Sequence, residues 1–194
     1  NATNDHYYVI SSSGLGWSAA KTAAEASTIR TSQGYLATLT TEAEHGFVTT
    51  YAGLPNGVWD GTGYAISTFI GGSDIANEGT WIWDSGPESG TQFWSGSKAS
   101  SGGSAVGGLY SNWHSSQPSD PNGTENGAEL SYNTDAIWVW TDMRVTGLYG
   151  QVGPYITEYS SSPVSFSVGL LTSHSISMTD VERELDAGSF TITD

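Results

Sequence analysis

The stretch Gln117-Pro118-Ser119-Asp120-Pro121-Asn122-Gly123-Thr124-Glu125-Asn126 sets five carboxylate or amide side chains within ten residues, and Trp140-Thr141-Asp142 follows it. Upstream, Ser73-Asp74-Ile75-Ala76-Asn77-Glu78-Gly79 is a second acidic loop, placed just ahead of the aromatic strand Thr80-Trp81-Ile82-Trp83. Oxygen-rich loops of this kind suit a hard divalent cation. Calcium takes about six to eight oxygen ligands from carboxylates, amide and backbone carbonyls and water. A cis peptide before Pro118 would turn the chain so that Gln117 and the residues after it face one loop.

Outward from these loops the pattern is strand and turn on the C-terminal side and helix on the N-terminal side. His6-Tyr7-Tyr8-Val9-Ile10 is β-branched and aromatic and reads as a first strand, broken by Ser11 to Gly14. The Ala-rich run from Trp17 to Ala26 puts Trp17, Ala20 and Ala24 on one face and predicts a first helix. Gly34 to Leu39 reads as an extended link, and Thr41 with Glu44 makes a capping-box signature for a second, short helix through about Tyr51. Ser95 to Gly108, rich in Ser and Gly, is expected to be a flexible loop or insertion. Pro154 to Tyr159 reads as a closing strand. Beyond Ser160-Ser161-Ser162-Pro163, apolar residues alternate with small polar ones, predicting a β-rich extension over residues 161–194 that packs on the domain or belongs to a neighbouring module.

The composition narrows the function classes. Twenty acidic side chains against five basic ones give a formal net charge of -15, which leaves no basic footprint for a phosphate backbone, so nucleic acid is excluded as a partner. The acidity fits both a solvating surface suited to salty surroundings and carboxylates held against cations. With no cysteine there is no disulfide, thiol chemistry or sulfur-based zinc site. No run approaches the ~20 apolar residues of a membrane-spanning helix. The chain is expected to be one module of a longer protein.

The motifs fall in a familiar order. Trp17-x-x-Ala20, Gly34-x-Leu36-Ala37, Ile70-Gly71-Gly72 with Glu78-Gly79-x-Trp81-x-Trp83, Asn112-Trp113 with Gln117-Pro118, Glu125-Asn126, Trp140-x-Asp142 and Tyr155-Ile156-x-Glu158 resemble a C-type lectin domain from about His6 to Tyr159. The resemblance implies an α+β fold with two helices, small antiparallel sheets, paired first and last strands, and a long loop region that binds calcium. A domain over residues 1–160 and an extension over 161–194 follow from it.

Carried over by position, the resemblance implies that a sugar-site calcium is held by Gln117, Glu125 and Asp142. Ser119 and Thr141 stand where the family has Asn or Asp. A second calcium would be held by Asp74, Glu78, Asp120 and Asn126. The family's disulfide positions are taken by Ala24 with Thr157 and Gly127 with Val145. The expected function is calcium-dependent binding of galactose- or fucose-like sugars through vicinal hydroxyls by Gln117, Glu125 and Asp142, with Trp113 and His114 as further candidate contacts. The expected partners are cell-surface or extracellular glycans, and the expected setting is an extracellular, multidomain adhesin. An enzyme is not expected: the two best-placed carboxylates are claimed by the metal, and no nucleophile-elbow or metalloprotease pattern is present. The rival readings are a C-type-lectin-like domain that binds protein or ice, and a structural spacer without a ligand.

Overall fold

A computed structural model describes residues 5–51, 54, 67–119, 123–132, 137–145 and 152–160. The strands expected after Ser160 and the candidate ligand Asp120 lie outside these residues. In chain order the elements are β1 (Tyr7–Leu15), α1 (Trp17–Ala26), β2 (Thr28–Ile29), β3 (Ser32–Leu36), α2 (Glu42–Tyr51), β4 (Thr68–Ser73), β5 (Thr80–Trp83), β6 (Gln92–Ser95), β7 (Ser104–Ala105), β8 (Gly127–Tyr132), β9 (Trp138–Met143) and β10 (Gly153–Tyr159). Two helices with a mixed sheet make the α+β architecture expected from the motifs.

The ends of the domain are joined. β1 pairs antiparallel with β10, Tyr7 opposite Tyr159 and Ile10 opposite Ile156, and β3 flanks β10 on the other side through Glu158–Tyr35 and Thr157–Leu36. This pairing corrects two local readings. Ser11 to Gly14 does not end β1, because the strand continues through an irregular register to Leu15 opposite Gly153. The segment from Gly34 is the second half of a strand, not a link. In both places long-range ladder hydrogen bonds outweigh the weak strand preference of Ser and Gly.

The helices form where the spacing put them. Trp17, Ala20 and Ala24 are buried on the inner face of α1. The Trp17 indole donates to the Ile70 carbonyl at 2.8 Å, which pins α1 to β4. At α2 the Thr41 hydroxyl accepts from the Glu44 N–H at 3.1 Å, one half of the capping box. The Glu44 carboxylate takes the Thr40 N–H at 2.8 Å and the Tyr8 hydroxyl at 2.5 Å.

Ser95 to Gly108 is ordered. β7 pairs with β6, a 3-10 turn spans Ala99–Ser101, and Trp94 Nε1 donates to the Ser97 carbonyl at 3.0 Å. Gly103 sits so close to this turn that a Cβ there would lie 1.6 Å from the Ser97 carbonyl oxygen, so the glycine is a packing requirement. The main core is aromatic: Trp83 stacks on Phe93 at 4.5 Å, and Trp140 meets both edge-on.

Candidate functional site

The candidate site grows from the ends of three neighbouring strands. β8 lies between β4 and β9, with Gly127 opposite Ser73 and Ala128 opposite Asp142. Asp74, Asn126 and Asp142 therefore arrive at one end of the sheet. Asn112, Trp113 and His114 are laid along β9: Trp140 N–H donates to the Asn112 carbonyl at 2.8 Å, and His114 N–H donates to the Trp140 carbonyl at 2.9 Å. A turn closed by Gln117 N–H on the His114 carbonyl at 2.8 Å then leads into a cis Gln117–Pro118 peptide.

From there the loop returns to the strand end. Ser119 N–H donates to Asp142 Oδ2 at 2.7 Å, and the Ser119 hydroxyl reaches Glu125 Oε2 at 3.5 Å. Gln117 Oε1 is buried and has no hydrogen-bond partner among the described residues. A buried amide oxygen without a partner costs roughly 1–3 kcal/mol, so its position calls for a cation or donor. Asp142 is buried, whereas Gln117, Ser119 and Glu125 are half-buried. The structure thus brings together Ser119, Glu125 and Asp142, with Gln117 two residues from Ser119.

Thr141 stands apart from this group. Its hydroxyl donates to Glu129 Oε1 at 2.8 Å and lies 3.0 Å from the Ser131 hydroxyl. Glu129, opposite Thr141 in the ladder, is a carboxyl that the sequence reading missed. Burial pushes it up to about 7, against the lowering effect of hydrogen bonds from Ser67, Thr141 and Ser131. The available signal was a carboxylate at a strand position flanked by Ala128 and Leu130, both buried.

The second candidate group also converges. Asp74 is buried, its N–H donates to the Asn126 carbonyl at 3.2 Å, and its Oδ2 accepts from Gly79 N–H at 2.8 Å. Glu78 is exposed, and its Oε2 stands 3.8 Å from where a Gly123 side chain would begin. Asp74, Glu78 and the 123–126 segment therefore face one another.

The two aromatic candidates are placed differently. Trp113 packs on Trp81 at 4.7 Å and on Trp140 at 5.9 Å, so its ring is engaged by the core. His114 lies at the turn, with Nδ1 2.7 Å from the Ser116 hydroxyl.

The residues that the motif resemblance sets at disulfide positions, Ala24 with Thr157 and Gly127 with Val145, are close in space here. A Cβ at Gly127 would lie 2.8 Å from Val145 Cγ1, and one at Gly34 would lie 2.6 Å from Thr157 Cγ2 and 2.7 Å from the Ala24 carbonyl.

The donors around Ser119 are all oxygen: two carboxylates, an amide and a hydroxyl. That set fits calcium, with the buried Gln117 oxygen as the structural sign of a missing partner. Gln117, Ser119, Glu125 and Asp142 would hold it.

This architecture is the C-type lectin fold. CEL-I from Cucumaria echinata superposes with a TM-score of 0.53 at 22% identity, over 80% of this chain and 90% of that one. The human scavenger receptor C-type lectin carbohydrate-recognition domain gives 0.55 at 20% identity over 83% and 95%, and human lithostathine 0.54 at 20% over 83% and 88%. In sequence, the chain is 34% identical over 171 residues to halomucin of Haloquadratum walsbyi, an alignment covering 84% of the chain, which spans 2% of that protein's length. No family model matches the chain.

Proposed function

We propose that this domain is a calcium-dependent carbohydrate-binding module without catalytic activity, in which Gln117, Ser119, Glu125 and Asp142 hold the ion that captures the sugar. One observation carries the reading: Ser119 lies within hydrogen-bond distance of both Glu125 and Asp142, beside a buried Gln117 oxygen that lacks a hydrogen-bond partner. Bound calcium would supply open coordination places for two vicinal hydroxyls, while the chain's carboxylates and amide orient those hydroxyls by hydrogen bonds. Asp74, Glu78, Asp120 and Asn126 would hold a second, stabilising ion. The Gln-Pro pair favours galactose- or fucose-like sugars.

A single shallow contact of this kind binds at about millimolar strength, roughly -4 kcal/mol. Useful adhesion then needs many copies acting together. The alignment with a small part of a far longer protein supports a module of a multidomain, extracellular adhesin whose partners are cell-surface glycans. No helix among the described residues is long and apolar enough to cross a membrane.

The test is retention on immobilised galactose and fucose. The wild-type chain is expected to be retained in calcium and released by chelator. Glu125→Gln and Asp142→Asn, which keep shape and remove charge, are expected to abolish retention with the circular dichroism spectrum unchanged. Full retention by both variants refutes the assignment. The engagement of Thr141 by Glu129 favours a second reading, a domain of the same fold that recognises protein or ice. A glycan array with no hits in calcium would support it.

A further inference from the structure

The face of the β4–β8–β9 sheet turned away from Leu130 and Trp140 holds a polar group that the loop site does not use. Alternation along β8 puts Glu129 and Ser131 on this face, the β8–β9 ladder sets Thr141 opposite Glu129, and Ser67 joins them from the residue before β4. The result is one carboxyl among three hydroxyls.

Their oxygens crowd together. The Thr141 hydroxyl lies 2.8 Å from Glu129 Oε1, the Ser131 hydroxyl 3.3 Å from the same oxygen and 3.0 Å from Thr141, and the Ser67 hydroxyl 2.9 Å from Ser131. Ser67 also hydrogen-bonds to Glu129. Glu129 is only 5% exposed, and its other oxygen, Oε2, is buried with no hydrogen-bond partner among the described residues. Ser67, Ser131 and Thr141 are half-buried, so the group opens to solvent on the hydroxyl side.

The charge of this carboxylate is unmatched. Ion pairs among the described residues join His6 to Glu158 and Lys21 to Glu25 and Asp84, and none reaches Glu129. Asp142 adds a second negative field. Buried charges in proteins are paired or coordinate a metal. A hydroxyl can turn its proton away and present a lone pair, so three of them can serve a cation as well as they serve the carboxylate.

The donor set says which cation. One carboxylate with three neutral hydroxyls balances a single positive charge, whereas calcium affinity is set by the number of charged ligands. All the donors are hard oxygens, with no nitrogen or sulfur for a softer ion. Sodium has nearly calcium's radius and half its charge. Oxygens at ~2.4 Å around an ion of that size stand about 3.4 Å apart in an octahedral array, close to the spacings of 2.8 to 3.3 Å found here. The larger potassium ion would have to spread them.

We propose that Glu129, Thr141, Ser131 and Ser67 bind a sodium ion that ties β4, β8 and β9 together. The site is separate from the loop calcium, because Thr141 and Asp142 project from opposite sides of β9.

The experiment measures the melting temperature of the whole chain, saturated with calcium at about pH 8 where the Glu129 carboxyl is ionised, in NaCl, KCl and tetramethylammonium chloride at one ionic strength. Sodium is expected to raise it by about 2–4 °C over tetramethylammonium, saturably, and by more than potassium does. Glu129→Gln and the isosteric Thr141→Val are each expected to abolish the difference. Glu42→Gln, which removes one charge from an exposed position, and Glu125→Gln in the loop site are expected to keep it. Broadening of the sodium-23 resonance by the wild-type chain, lost in Glu129→Gln, reads the same ion without unfolding. Equal melting temperatures in sodium and tetramethylammonium, the outcome if Glu129 holds a proton alone, overturn the proposal. So does a sodium effect that survives in Glu129→Gln or is lost equally in Glu42→Gln, since it then belongs to the acidic surface at large.

Discussion

Thr141 and Asp142 are neighbours in sequence, yet their side chains have different fates: Asp142 Oδ2 takes the Ser119 N–H, and the Thr141 hydroxyl goes to Glu129. Successive residues of a strand face opposite sides of the sheet, so a motif read along the chain does not guarantee a group in space. Glu129 has a consequence for pH. Its carboxyl is raised from 4.5 to about 7, so between those values the folded chain holds a proton that the unfolded chain has released. The stabilisation is complete below pH ~4.5 and is lost as pH rises through ~7, worth about 3 kcal/mol for such a shift. Glu158, raised to about 7 first by burial and then by Glu44, acts in the same direction. His45, whose ring is pushed down by burial, acts oppositely: its unfolded form takes up a proton below ~6.5, so stability falls there on acidification. Denaturant titrations in chelator at pH 5 and about pH 8 are expected to show Glu129→Gln gaining relative to wild type at the higher pH. An unchanged difference between the two pH values would contradict the assignment.

At the scale of elements, the start of β8 is packed without space to spare. A Cβ at Gly127 would lie 2.8 Å from Trp17 Cδ1 and from Val145 Cγ1. Gly127→Ala therefore must push Trp17 away from the Ile70 carbonyl, at a cost of about 1–3 kcal/mol. The check is a lower denaturant midpoint with an unchanged slope. The cap of α2 is a milder case: Thr41→Ala removes the acceptor of the Glu44 N–H and is expected to cost about 1 kcal/mol, read by the same titration. Two elements differ from their local sequence signals. Ser11 to Leu15 stays in β1 because β10 supplies its partner, and Ser95 to Gly108 is ordered by β6, by Trp94 and by the Gly103 approach. For Ser11 to Leu15 the partner lies over 100 residues away, where local composition cannot show it, and for Ser95 to Gly108 the order comes from a local β6–β7 pairing and a close glycine approach that Ser and Gly content does not reveal.

The whole molecule carries a net charge of -15 with five basic residues to offset it. Self-repulsion of that size opposes the compact state and is screened by salt. The Debye length falls from about 10 Å at 0.1 M to about 3 Å at 1 M. The melting temperature is accordingly expected to rise as KCl is increased across this range, and, on the proposed calcium binding, to rise more steeply in chelator than in calcium. A melting temperature independent of KCl in chelator would show that the acidic surface does not limit stability.

The sequence alone determined the helix faces, the aromatic core, the closing strand and the order of motifs that marks the C-type lectin fold, because these are written in periodicity and residue type. It also named Ser119, Glu125 and Asp142, which the fold draws into one hydrogen-bonded group. Only the tertiary structure decided that Thr141 serves Glu129, that Trp113 belongs to the core, and that Glu44 and Glu158 face one another beside His6. Those outcomes depend on strand alternation and on pairings between distant segments, which bury a carboxylate or turn a hydroxyl aside whatever its neighbours in the chain.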